Sequence, residues 1–180
     1  MRSFDVRTRF PSLQENLQVY AVIVAFLYTW TILWLFWELP SWLNFLTVGE
    51  ILPIFAYALA TNLLESLLVL AGLNLVCFLL PAHWLHTSFV PRSFLLVASG
   101  LGALMVFISM FGKEAEHPNG LFVGALVIFV LVIPGSLFLG RIPIIKNLAD
   151  SISDRLTIFV YLLVPLSLLS VLFILLRNLS

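Results

Sequence analysis

The stretch IFAYALATNLLESLLVLAGLNLVCFLL, residues 54–80, contains one charged side chain, Glu65, in 27 positions. A helix of about 20 mostly apolar residues is long enough to cross the hydrocarbon core of a bilayer, which is roughly 30 Å thick. The stretch lacks the alternation of apolar and polar residues that is typical of a barrel strand. It therefore predicts a membrane-spanning helix, and with it an all-α transmembrane fold.

Four further stretches meet the same criterion of length and apolarity. The five predicted spans are residues 17–37, 54–80, 93–111, 121–139 and 156–176. No internal repeat divides them, so we expect a single transmembrane domain over residues 17–180, preceded by a short cytoplasmic segment, residues 1–16. The predicted fold class is an all-α polytopic helix bundle of about five spans.

The composition of the whole chain favours the same class. Of its 180 residues, 62% are hydrophobic and 10% are charged, whereas soluble domains have about 45–50% and about 25%. Nine acidic and nine basic residues give no net charge, so we expect no nucleic-acid partner. The single cysteine, Cys77, excludes an intrachain disulfide. We expect the lipid bilayer to be the partner of the apolar surface of this chain.

The distribution of basic residues predicts the orientation, because Lys and Arg are retained on the cytoplasmic side. The N-terminal flank and the loops after the second and fourth spans hold seven: Arg2, Arg7, Arg9, Arg92, Arg141, Lys146 and Arg155. The opposite side holds two, Lys113 and Arg177. We expect a cytoplasmic N-terminus, an external C-terminus and a location in the plasma (cell) membrane.

Aromatic residues mark the outer end of the first span. Trp30, Trp34 and Trp37 recur at positions i, i+4 and i+7, which predicts an aromatic belt among the lipid headgroups. Residues 38–53 are too short to span, so we expect them to lie on the outer surface of the membrane.

A second surface segment is predicted on the inner side. In residues 141–155 the apolar side chains are spaced for one helical face. We expect this loop to lie along the inner surface, with Ser153 or Asp154 as the N-cap of the fifth span.

Glu65 is the only acidic residue inside a predicted span, and a charge in hydrocarbon is by default a candidate for function. At about 100° per residue, Thr61, Asn62, Glu65 and Gly72 share one stripe of the helix, with Tyr57 at its edge. We expect this stripe to face other helices or a wet cavity. The candidate intramembrane polar site is therefore Glu65, Asn62, Thr61 and Tyr57.

The depth of Glu65 remains open at this stage. A single tilted helix over residues 51–80 places Glu65 at the centre of the bilayer. If only the last 20 or so residues lie in lipid, Glu65 falls in the outer third, where its carboxylate can reach toward water.

Motifs of catalysis and metal binding are weak or missing. His83 and His86 form an H-x-x-H pair, but two ligands are too few for a metal site, so they are weak candidates only. The chain contains no G-x-S-x-G, no H-E-x-x-H and no Gly-rich phosphate loop. The sequence predicts no catalytic residue, no metal and no cofactor, and it disfavours an enzyme.

Three functions remain open. The leading hypothesis is a non-enzymatic accessory or interaction subunit of a membrane assembly, with other membrane-protein subunits as partners. The alternative is a small transporter or channel component that uses Glu65. A second alternative is an interfacial lipid-modifying enzyme.

Overall fold

A computed structural model describes residues 11–79, 89–111, 118–139 and 142–179. These residues form five helices and no β-strand: α1 Leu13–Trp42, α2 Val48–Leu79, α3 Phe89–Phe111, α4 Pro118–Leu139 and α5 Pro143–Leu179. The all-α prediction is confirmed for this part of the chain. Most of the predicted N-terminal segment, residues 1–10, lies outside the described residues.

Four of the helices are long and apolar enough to cross a membrane: α1, α2, α3 and α5. Within α4, the described apolar segment Phe122–Ser136 is shorter than this criterion. Length and composition therefore identify the chain as an integral membrane protein and support four of the five predicted spans.

Helix α1 begins before its apolar run because its first turn is capped by polar groups. The Ser12 hydroxyl accepts a hydrogen bond from the Glu15 backbone N–H at 3.3 Å, and the Glu15 carboxylate accepts one from the Ser12 backbone N–H at 2.7 Å. This capping box satisfies two backbone donors that a helix N-terminus leaves free. The apolar run predicts that the first span starts at residue 17. An apolar run marks the part of a helix that suits the hydrocarbon core, whereas the helix itself begins earlier.

Residues 38–53, predicted to lie on the outer surface, are not a segment separate from the flanking helices. Helix α1 continues through Pro40 to Trp42 and α2 begins at Val48, so only residues 43–47 link the two helices. Pro40 sits in the last turn of α1, where its missing N–H and its ring disturb one helical hydrogen bond without ending the helix early.

The N-cap predicted at Ser153 or Asp154 is wrong, and the described part of the predicted inner segment, from residue 143 on, is continuous with the fifth span. Helix α5 runs without a break from Pro143 through Ser153 and Asp154 to Leu179. Its 37 residues extend about 55 Å at about 1.5 Å per residue, well beyond the hydrocarbon core. Ser153 is fully buried in mid-helix. The polar residues before the fifth span mark where the helix leaves lipid, and a helix has no need to stop there.

Helix α1 occupies the centre of the bundle and packs against α2, α3 and α5. One side chain cluster joins Val22 and Ile23 of α1 to α2 and α3. A second cluster joins Val24 and Tyr28 of α1 to α2 and α5. Helix α4 packs mainly on α3, where Gly124 approaches so closely that an added Cβ would lie 2.2 Å from the Phe107 ring. The central position of α1 makes it the helix against which the others are aligned.

Hydrogen bonds from α1 fix the directions of α2 and α5. Toward α2, the Tyr20 and Ser66 hydroxyls lie 3.2 Å apart, and Thr31 donates to the Asn62 side-chain oxygen at 3.0 Å. Residue numbers fall along α1 as they rise along α2, so the two helices are antiparallel.

Toward α5, Gln18 donates to the Asp154 carboxylate at 2.5 Å, and the Tyr28 and Ser167 hydroxyls lie 2.7 Å apart. Residue numbers rise together along the two helices, so α1 and α5 are parallel. The N-terminal end of α1 and the C-terminal end of α5 therefore lie at opposite ends of the bundle.

The hydroxyl of Tyr28 donates in its pair, because the Ser167 hydroxyl already donates to the Leu163 carbonyl at 3.0 Å. We expect Tyr28→Phe to lower the free energy of unfolding by about 0.6 kcal/mol and at most about 1.7 kcal/mol, the range measured for such bonds in membranes. Unfolding by SDS in mixed micelles measures the loss. Tyr161→Phe is the matched control because Tyr161 is 70% exposed, and equal losses for the two variants would contradict the assignment.

Candidate intramembrane polar site on helix α2

Helix α2 divides the four candidate residues between two faces. Asn62 is 3% exposed and is turned toward α1, whereas Tyr57, Thr61 and Glu65 are exposed on the outside of the bundle. Successive helical residues differ by about 100° in direction, so a stripe containing both Thr61 and Asn62 straddles the edge of a helix interface. The structure therefore brings Tyr57, Thr61 and Glu65 together on one ridge and separates Asn62 from them.

The inward polar groups of α2 are committed to packing on α1. Asn62 accepts the hydrogen bond of Thr31 through its side-chain oxygen, and its buried amide nitrogen has no partner among the described residues. Ser66 donates to the Leu63 carbonyl at 2.9 Å, so it accepts from the Tyr20 hydroxyl. No local sequence pattern predicts these partners, because Thr31 and Tyr20 lie more than 30 residues from Asn62 and Ser66 along the chain.

Glu65 has no partner within the described residues. No hydrogen bond or ion pair involves its carboxylate there, and its side chain is exposed. Its neighbours on the outer surface are apolar, since Leu64 and Leu68 are 60% and 62% exposed. The carboxylate thus projects from the bundle into the layer that lipid or another chain occupies.

The register of α1 and α2 indicates the depth of Glu65. Trp34 and Trp37 are exposed, as expected of a belt at the outer interface. Thr31, six residues before Trp37, lies about 9 Å farther in along α1, at about 1.5 Å per residue. Thr31 contacts Asn62, and Glu65, three residues later on the antiparallel helix, is about 4.5 Å deeper still. With Trp37 at the interface, the Thr31–Asn62 contact gives Glu65 a depth of about 14 Å and the Tyr20–Ser66 contact a depth of about 24 Å, both within a core roughly 30 Å thick.

The inner end of the bundle agrees with these depths. Gln18 and Asp154 form a polar pair, and Gln18 lies about 28 Å from Trp37 along α1 at about 1.5 Å per residue. That distance matches the thickness of the hydrocarbon core, so with Trp37 at one interface the polar pair falls at the opposite one. Both values for Glu65 lie deeper than the outer third, the shallower of the two positions left open by the sequence.

An open surface continues from Glu65 along α2. We call the ridge formed by Tyr57, Thr61, Glu65, Leu68 and Gly72 the Glu65 face; all five residues are exposed. A Cβ added at Gly72 would meet nothing within 4 Å. At the outer end, the Asn178 amide approaches the Tyr57 hydroxyl at 3.5 Å. From Thr61 to Gly72 the face is uncovered by the described part of the chain.

The described residues contain no group of three or more His, Cys, Asp or Glu side chains that could hold a metal ion. The weak metal candidates, His83 and His86, lie outside the described residues.

Comparisons with family models, with characterised proteins and with solved structures give no match to this chain. Function is therefore inferred from the geometry of α2.

Proposed function

We propose that this protein is a non-enzymatic accessory subunit of a membrane assembly, and that a transmembrane helix of another chain packs on its Glu65 face. The observation that carries the proposal is the position of Glu65, which is exposed on α2 and has no partner in the described residues. At the centre of a membrane helix, Asp, Lys or Arg costs about 2.5–3.5 kcal/mol on insertion scales. A helix that covers Glu65 and bonds to it offsets a cost of this kind.

The shape of the Glu65 face supports a helix as the occupant. Small residues let two membrane helices approach closely, and hydroxyl side chains bond across the contact. Gly72 leaves open space above the backbone, and Thr61 offers a hydroxyl one turn from Glu65. Leu68 lies between them as an apolar projection that a neighbouring helix can receive.

The polar groups inside the bundle favour an accessory role over transport through this chain. A path through its interior requires polar side chains that face a shared space. Tyr20, Ser66, Tyr28 and Ser167 instead bond in pairs across helix contacts and are buried. Glu65, the residue on which the transport hypothesis depends, faces away from that interior.

The accessory subunit is proposed to span the plasma membrane five times, with α4 as its fourth span, a cytoplasmic N-terminus and an external C-terminus. The parallel direction of α1 and α5 supports opposite sides for the two termini. The excess of basic residues on one side, seven against two, supports a cytoplasmic N-terminus and an external C-terminus.

Labelling of single cysteines tests this orientation. In a Cys77→Ala background, we expect a membrane-impermeant maleimide to modify Ser180→Cys on intact cells and to modify Ser3→Cys only after permeabilisation. Labelling of both positions from the same side, or the reverse order, would contradict the proposed topology.

Photo-crosslinking in native membranes tests the docking of another chain. We expect a photoreactive residue at Leu68, 62% exposed, to give one discrete heavier adduct, and the same residue at Leu131 on α4, 69% exposed, to give none. We also expect Gly72→Leu to abolish the adduct, because its side chain fills the space that the partner needs, and a Cβ at this position meets nothing within 4 Å in the described chain.

Gly135→Leu is the matched control for this experiment, because Gly135 on α4 also has open space around an added Cβ. It is expected to leave the adduct at residue 68 intact. The proposal fails if residue 68 forms no adduct, or if the adduct persists in Gly72→Leu.

A further inference from the structure

No basic side chain of the described helices is paired with Glu65. Residues 10–91 contain neither Lys nor Arg, so α1 and α2 have none. The basic residues of the other described helices are Arg92, Lys146, Arg155 and Arg177, and no ion pair joins any of them to Glu65. The described bundle therefore supplies no cationic partner for Glu65.

We infer that the helix docked on the Glu65 face presents a Lys or Arg side chain to Glu65 within the hydrocarbon core. This inference rests on the proposed function. A hydrogen bond between a cation and a carboxylate is stronger than one between neutral groups, and the attraction increases as the dielectric constant falls. Charged residues within membranes characteristically pair with one another.

A second copy of this chain fits the face less well than a different protein. A two-fold symmetric dimer brings the same patch of both subunits together. Two Glu65 carboxylates would then oppose each other in hydrocarbon, and the second copy has no basic residue on α2 to separate them. Charge complementarity therefore selects a helix of another protein.

Synthetic transmembrane peptides test this chemistry directly. The full-length protein, with a donor dye at an added C-terminal tag, is reconstituted in liposomes with acceptor-labelled Leu-rich peptides that carry Lys, Leu or Glu at the centre. Energy transfer reports association. We expect the Lys peptide to bind at least about tenfold more tightly than the Leu peptide. In Glu65→Gln the two peptides should bind with similar affinity.

Glu50→Gln is the matched control, because it makes the same change on α2 at an exposed site near the start of that helix. It is expected to keep the preference for the Lys peptide. Glu65→Gln removes no contact within the described residues, and an unchanged SDS unfolding curve verifies that the variant is folded.

Two results would overturn the inference. One is equal binding of the Lys and Leu peptides to the parent protein. The other is tightest binding of the Glu peptide, which would indicate a hydrogen bond between carboxyl groups and favour a second copy as the occupant. If either result occurs while Gly72→Leu still abolishes the native adduct, the proposed function stands and only the chemistry of the contact is wrong.

Discussion

The pairing of polar side chains around α1 is the interaction on which the arrangement of the bundle depends. Lipid tails are as apolar as leucine, so apolar surfaces alone do not determine which faces of two membrane helices meet. Hydrogen bonds supply the missing information. Tyr20 and Thr31 set the position of α2 against α1, and Tyr28 sets that of α5. Because these contacts lie along one central helix, they align both of its neighbours against the same reference.

Glu65 does not take part in this pairing of polar side chains. The rotation of α2 that buries Asn62 and Ser66 against α1 also turns Glu65 outward. The hydrogen bonds to α1 are therefore formed while the carboxylate is left without a partner in the described bundle. The polar contacts within the chain and the open face outside it are thus two consequences of one helix rotation. A change that rotated α2 to bury Glu65 would break the bonds of Thr31 and Tyr20. We therefore propose that a group of another chain covers the Glu65 carboxylate.

The sequence predicts the positions of the apolar helices well and their limits less well. Residues 17–37 and 54–79 lie within α1 and α2, since apolarity marks the part of a helix that suits the hydrocarbon core, whether it faces lipid or another helix. It does not detect that α5 continues through Ser153 and Asp154, because a helix outside lipid tolerates polar residues. The sequence also singles out Glu65, but not the face on which it lies. That face depends on the bond between Thr31 and Asn62, which no local spacing encodes.

The reaction of Glu65 with a hydrophobic carbodiimide tests the central claim most directly, because this reagent enters the bilayer and modifies carboxyl groups that are open to lipid. Mass spectrometry measures the rate at residue 65, with Glu65→Gln as the blank. For the purified protein in liposomes we expect rapid modification, since Glu65 faces outward. In native membranes we expect protection, since the proposed partner helix would cover the Glu65 face. Equal rates in the two preparations would contradict the account.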